Sequence, residues 1–387
     1  MAYRILTLDG GGAWAILEAM ALQDIYDDIP GRDILSKFDL VAANSGGSIV
    51  LGALIANFRP SQITALFLSD ADRDKIFAKL PWWQKLPSSI LGIGARYSTT
   101  GKRAGIAKFL GPLAETPMRD LGAILSLPRM FIAGFDYDWL RAEFYRSYAN
   151  KAGATASTLH LADAINASST APVNYFDTPA LADDGRRHWD GGLGGYNNPL
   201  LAAVVEATIE GKVSSEIIAL SIGTGTVRLL RHDHPGDAPD KYVEKWQDEP
   251  TLKRDILKVA TAILDDPPDA ASYVAYMMLG NNPNPPAASG SGNVVRMNAM
   301  VQPHYDSAAD AWGPPPGVPS ADFDALIEMD SDAAKPGDVA KVQTLGRAWI
   351  AGTVTNQGIY MGADKLDVRI GDPTFAAAKS RWLAFPP

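Results

Sequence analysis

The chain contains no cysteine. That absence excludes disulfide frameworks, thiolate-ligated zinc, iron–sulfur clusters and cysteine nucleophiles, while leaving the compartment open. The chain also lacks an excess of positive charge: 35 Lys and Arg face 44 Asp and Glu, a formal net charge of −9. Such a balance disfavours non-specific binding to phosphate backbones or anionic lipid surfaces, so no nucleic-acid partner is expected. Long apolar runs are missing too. The longest, Ile49 to Phe58, falls well short of the roughly 20 residues a spanning helix needs. The N-terminal apolar stretch reaches glycine too soon to form the core of a signal peptide. The expectation is a soluble, cytoplasmic protein whose contact with membranes, if any, is peripheral, apolar and transient. His232-Asp233-His234 is the nearest approach to a metal-ligand cluster, and nothing else supplies convergent ligands, so no metal and no cofactor is expected.

What is present is the material for a large core. The 387 residues are 47% hydrophobic and 20% charged, enough for roughly two to three domain-sized units. Arg4 to Leu8 reads as a buried strand opening into Asp9-Gly10-Gly11-Gly12, and Ala13 to Tyr26 as a helix. Phe38 to Ala43 reads as a second strand ending at Asn44-Ser45-Gly46-Gly47, with a second helix over Ile49 to Asn57. Strand–helix–strand–helix is the pattern of an α/β unit with a parallel sheet. Further strands are expected over Met130 to Phe135, Arg187 to Trp189 and Glu216 to Ile222, with a partner for the first at Ala142 to Tyr145. Helices are expected over Leu161 to Ala167, Leu200 to Ile209, Leu252 to Leu264, Ala271 to Leu279 and Val339 to Ala351. Composition shifts near residue 230, which divides the chain into a core over 1–230 and a C-terminal region of mixed helix and loop over 231–387, packing on or extending that core.

Three motifs carry chemistry. Ala43-Asn44-Ser45-Gly46-Gly47 sits at a strand-to-helix junction. A serine on such a turn projects its hydroxyl from the sheet, and only small neighbours fit around the bend. The helix N-terminus behind it favours developing negative charge. As an N-cap on an ordinary loop, the same serine would be purely structural. Gly10, Gly11 and Gly12 let the backbone approach a ligand and point N–H groups into one pocket, as an oxyanion hole requires. They also fit a dinucleotide loop with Ala15, but the second strand ends in Asn44-Ser45 rather than the acidic residue such a loop needs. Asp190-Gly191-Gly192, at a strand end, places a carboxylate where glycines clear space for it, either as a proton acceptor or as a turn initiator.

Taken in order, the Asp9–Gly12 loop, the Ser45 elbow and the Asp190-Gly191-Gly192 triplet resemble the patatin-like phospholipase family. Ala167 to Pro172 and Leu220 to Gly225 resemble further stretches of that family, and the likeness covers about residues 4 to 225. The resemblance implies a three-layer α/β/α core with a mostly parallel central sheet, and a serine–aspartate dyad without histidine. Carried over, Ser45 is the nucleophile, Asp190 the base, and Gly10, Gly11 and Gly12 the oxyanion hole. Ala43, Asn44, Gly46 and Gly47 form the elbow, and Gly191 and Gly192 flank the base. The implied activity is hydrolysis of phospholipid or lysophospholipid acyl esters, with lipid or ester as the partner. Small soluble esters, or a non-catalytic lipid-binding role, are the alternatives. Two positions depart from the family: Trp14-Ala15 stand where a basic residue and glycine are usual, and Ala43 replaces the first glycine of the elbow. A histidine-containing triad would have to recruit His188, His232, His234 or His304. Trp82 and Trp83, with Leu86, Ile90 and Leu91, are candidates for an interfacial lip or for core.

Overall fold

The computed structural model describes residues 2–76, 79–80, 95–172, 175–231, 238–244, 267–279, 292–333, 335–359 and 371–386. The expected helix over Leu252 to Leu264, the Trp82–Leu91 cluster, His232 and His234 lie outside the described residues. In chain order the elements that build the site are β1 (Tyr3–Leu8), α1 (Ile16–Tyr26), α2 (Gly31–Leu35), β2 (Leu40–Ala43), α3 (Ser45–Ile55) and α4 (Pro60–Leu68). They are followed by α5 (Thr99–Leu110), β3 (Arg129–Asp136), β4 (Arg141–Arg146), α6 (Leu161–Ser168), β5 (Ala180–Leu181), β6 (Arg187–Asp190), α7 (Leu200–Ile209) and β7 (Ile217–Ile222). Beyond these lie β8 (Thr226–Val227), β9 (Val294–Met297), α8 (Asp338–Ile350) and α9 (Phe375–Ala384).

One eight-stranded sheet runs β5-β6-β3-β2-β1-β7-β9, with β4 also paired to β3. Strands β3, β2, β1, β7 and β9 run parallel to one another. β6 and β4 are antiparallel to β3, and β5 is antiparallel to β6. The strands read as continuous apolar runs because both faces are covered. Alternation sorts their side chains: Leu6, Leu8, Val41, Ala43, Leu220 and Ile222 join one buried cluster. Their neighbours Tyr3, Ile5, Leu40, Ala42, Ile217 and Ala219 join another on the opposite face. The first cluster takes in residues of α1, α3, α5, α6, α8 and α9. The second takes in α7 together with Tyr276 and Leu279 from the helical stretch 267–279. Helices on both faces of a mostly parallel sheet make the three-layer α/β/α arrangement.

The chain beyond residue 230 is woven into this body. β9 extends the sheet beside β7 in parallel register, Ile222 opposite Met297, and Trp349, Phe375 and Trp382 are fully buried in the first cluster. Among the described residues no helix is long and apolar enough to cross a membrane.

Candidate active site

Register places the three motifs together. Leu8 pairs with both Ala43 and Ile222, so β1, β2 and β7 end at one level. The loops that leave them, Asp9–Gly12, Asn44–Gly47 and Gly223–Gly225, therefore share one edge of the sheet, where ligands of open α/β sheets bind. β4 takes one edge of β3. The other edge is divided between β2, along Arg129 to Ile132, and β6, along Gly134 to Asp136. β6 thus arrives head-on at the end of β2, and its last residue, Asp190, meets the turn that follows Ala43.

At that turn Ser45 adopts φ 47°, a left-handed conformation that costs a non-glycine residue of order 1–3 kcal/mol. The surroundings enforce it. Ser45 N–H donates to Ser168 Oγ at 2.9 Å, Gly47 N–H donates to the Asp9 carbonyl at 3.0 Å, and Ser48 Oγ donates to the Ser45 carbonyl at 2.6 Å. Glycine at 46 is required by contact: a β-carbon there would stand 2.5 Å from the Gly12 carbonyl oxygen. The Ser45 hydroxyl lies near enough to the Asp190 carboxylate to favour its charged form. Asp190 accepts from Gly192 N–H at 2.8 Å and from Asn44 Nδ2 at 3.1 Å, and its own N–H donates to the Thr170 carbonyl at 2.8 Å. Burial pushes the Asp190 carboxyl above the usual range, while the nearby Ser45 hydroxyl, the hydrogen bonds from Gly192 and Asn44, and the positive charge of Lys102 pull it back down.

The glycine loop divides its work. Gly10 N–H donates to the Asn197 carbonyl at 2.7 Å, so it is not available to an incoming oxyanion, contrary to its expected place in the hole. Its role is close approach, since a β-carbon at Gly10 would lie 3.0 Å from Ser45 Cβ. Among the described residues no backbone acceptor engages the N–H groups of Gly11, Gly12 or Gly46. Trp14 is buried, with its indole N–H on the Asp330 carbonyl at 3.3 Å, so the residue at the family's basic position fastens the C-terminal region to the loop. His188 is fully buried against Tyr145, with both ring nitrogens lacking hydrogen-bond partners, and His304 is exposed. Neither contacts Ser45 or Asp190. Asp136 and Glu143 sit close enough to His188 to suggest metal ligands, but Arg186 already bonds both carboxylates.

Sequence reasoning passed over Ser168, Asn197 and Lys102. The small-residue stretch 167–172 and the Asn197-Asn198-Pro199 run were the available signals for the first two. Lys102 stands in Gly101-Lys102-Arg103, which lacks the upstream glycine spacing and the following Ser or Thr of a phosphate loop.

A family model for patatin-like phospholipase matches residues 6–204, half of the chain and all three motifs. The chain belongs to the patatin-like phospholipase family. It is accordingly a lipid hydrolase of α/β/α fold. Over 250 residues it is 28% identical to a cGAMP-activated phospholipase from Pseudomonas aeruginosa, covering 63% of this chain and 68% of the relative. Among solved structures it is similar to VipD from Legionella pneumophila, with 13% identity over 90% of this chain and 67% of that one, at a TM-score of 0.37. It is also similar to ExoU from Pseudomonas aeruginosa, solved in complex with SpcU, with 14% identity over 43% of this chain and 38% of that one, at a TM-score of 0.27. The patatin-like match ends at residue 204, before β7 and β9 complete the sheet.

Proposed function

We propose that the chain hydrolyses acyl esters of phospholipids or lysophospholipids through Ser45 and Asp190. The observation that carries this reading is the Ser45 hydroxyl set beside a buried aspartate at a strained elbow. Asp190 takes the Ser45 proton as Oγ attacks the ester carbonyl. The oxyanion that forms lies against the N–H groups of Gly11 and Gly12, with Gly46 at the helix start. Collapse of the tetrahedral intermediate breaks the ester C–O bond, and the departing alkoxide takes the proton from Asp190. Water, deprotonated by Asp190, then attacks the acyl-enzyme, and Ser45 recovers its proton as the fatty acid leaves. An acid net charge leaves apolar contact as the means of reaching a lipid surface.

The test is labelling with a fluorophosphonate and location of the adduct by mass spectrometry. Wild type is expected to label at Ser45, Ser45→Ala not at all, and Asp190→Asn about 10²- to 10⁴-fold more slowly. Equal labelling of Asp190→Asn would remove the dyad. Micellar phospholipid and lysophospholipid are expected to be cleaved in preference to short-chain soluble esters, and the reverse preference would make the protein a carboxylesterase. The name of the Pseudomonas relative extends the proposal to control: adding cGAMP is expected to raise hydrolysis, and unchanged rates at saturating nucleotide would confine that control to the relative.

A further inference from the structure

Lys102 of α5 is 1% exposed, and among the described residues the charge that bears on it is that of Asp190. Its Nζ donates to the Asn166 carbonyl at 2.9 Å, to Ser169 Oγ at 3.2 Å and to Thr170 Oγ1 at 2.6 Å. Both hydroxyls have already given away their own hydrogen, Ser169 to the Ile165 carbonyl at 2.6 Å and Thr170 to the Asn166 carbonyl at 2.5 Å. All three partners therefore act as acceptors, and three acceptors call for the three hydrogens of an ammonium rather than the two of a neutral amine. The Phe176 ring, its centroid 4.1 Å from Nζ, suits the same charge. The groups around Asp190 show the opposite polarity: the Asn44 amide and the Gly192 N–H both point donors at it. Thr170 joins the two sites, its hydroxyl on Lys102 and its carbonyl on the Asp190 N–H.

We propose that Lys102 is a positioning residue for Asp190, its buried ammonium fixing the 166–170 turn that carries Asp190 and holding Asp190 in the ionised form that accepts the Ser45 proton. The inference rests on the dyad reading above. Burial pushes the Lys102 pKa well down and the Asp190 pKa up, and each charge opposes the other's shift. The other ionisable groups on the packed elements are engaged elsewhere. Arg103 of α5 pairs with Asp163 of α6 and with Glu115, and Asp177 holds Thr99. In the short helix Asp70–Ile76, Arg73 pairs with Asp70, Asp74 with Lys79, and Asp72 lines an apolar cavity beside exposed Lys108. His188 of β6 is neighboured by Glu143 and Asp184.

The experiment is the pH profile of fluorophosphonate labelling at Ser45. In wild type the rate is expected to fall on the acid side as Asp190 takes up its proton. Lys102→Met is expected to move that limb upward by about one pH unit, which lowers labelling about tenfold at the acid end. Because the chain has no cysteine, Lys102→Cys can be aminoethylated in denaturant and refolded, restoring an ammonium at the native chain length, and the limb should return. A limb unmoved by loss of the ammonium, with the rate lowered equally at every pH, would reduce Lys102 to a structural strut and overturn the proposal. If Lys102→Met does not fold, Phe176→Leu decides, since loss of the ring is expected to shift the limb in the same direction by less, and no shift refutes it. Absence of labelling at Ser45 in folded wild type at any pH would refute the dyad reading instead.

Discussion

Glu18 sits on α1 beneath the glycine loop, fully buried, with neither carboxyl oxygen hydrogen-bonded. Burial first, and then the Asp9 charge, push its pKa well above 4.5, in the direction that favours the neutral acid. A carboxyl whose pKa rises on folding takes up a proton when the chain folds. Its contribution to stability is complete below the unfolded value near 4.5 and is lost as pH rises through the folded one. Glu18→Gln keeps the shape and cannot ionise. It is expected to match wild type at pH 4 and to become progressively more stable above pH 5, by up to about 1.4 kcal/mol per pH unit. Denaturant unfolding at a series of pH values measures the gap, and a gap that stays flat would show that Glu18 is ionised in the fold. Residues of this kind were hidden in the sequence. A single Glu or Lys within an otherwise amphipathic helix reads as part of a solvated face, and only the fold reveals that Glu18 and Lys102 point inward. Ser45 and Asp190 were legible because each is followed by two glycines, and glycine pairs at strand ends leave a trace that one buried charge does not.

The junction of α3 with the glycine loop leaves no room for a side chain. A β-carbon at Gly46 would lie 2.5 Å from the Gly12 carbonyl oxygen and 2.9 Å from the Gly12 nitrogen, both backbone atoms that cannot swing aside. Gly46→Ala is expected to cost about 1–3 kcal/mol and to depress fluorophosphonate labelling further than its loss of stability accounts for, because it displaces Gly11 and Gly12 relative to Ser45. Gly122→Ala is the control. Its nearest neighbour would be the Leu127 carbonyl at 3.8 Å, and it is expected to stabilise the protein by about 0.4–1 kcal/mol with unchanged labelling. Equal labelling by the two variants would show that the loop needs no close approach to the elbow. At this scale the sequence was readable wherever an apolar run met a glycine turn: β1, β2, β3, β6 and β7 fall within a few residues of their expected places. What periodicity did not give was pairing. Nothing local announces that β6 turns antiparallel and shares an edge of β3 with β2, because that depends on the short strand β4 having taken the other edge.

At the scale of the whole molecule, residues on both sides of the composition shift near residue 230 meet at the glycine loop. Arg296, on β9, donates to Asp9 Oδ2 at 2.6 Å and to Ser221 Oγ at 2.8 Å, and both ends of the ion pair are about 5% exposed. The Ser331 carbonyl accepts the Ala13 N–H at 2.8 Å, while Arg96 pairs with Asp330 and Asp332 on either side of it. The glycine loop is therefore clamped from beneath and from the side by residues that lie far beyond the matched segment. We propose that the C-terminal region is part of the catalytic body, so a chain ending at residue 230 should fail to give a cooperative thermal transition. The sharper test is a double-mutant cycle. Arg296→Met strands the Asp9 carboxylate in an apolar site and is expected to cost about 3–5 kcal/mol. Asp9→Asn leaves Arg296 without its anion and is expected to cost a similar amount. Combined, the two replace a buried ion pair by neutral groups, and most of the loss should be recovered, with a coupling well outside the few tenths of a kcal/mol seen between independent sites. Additive losses would mean that Arg296 supports the loop through Ser221 and packing alone, and the C-terminal region would then be cladding on a core that sets its own geometry.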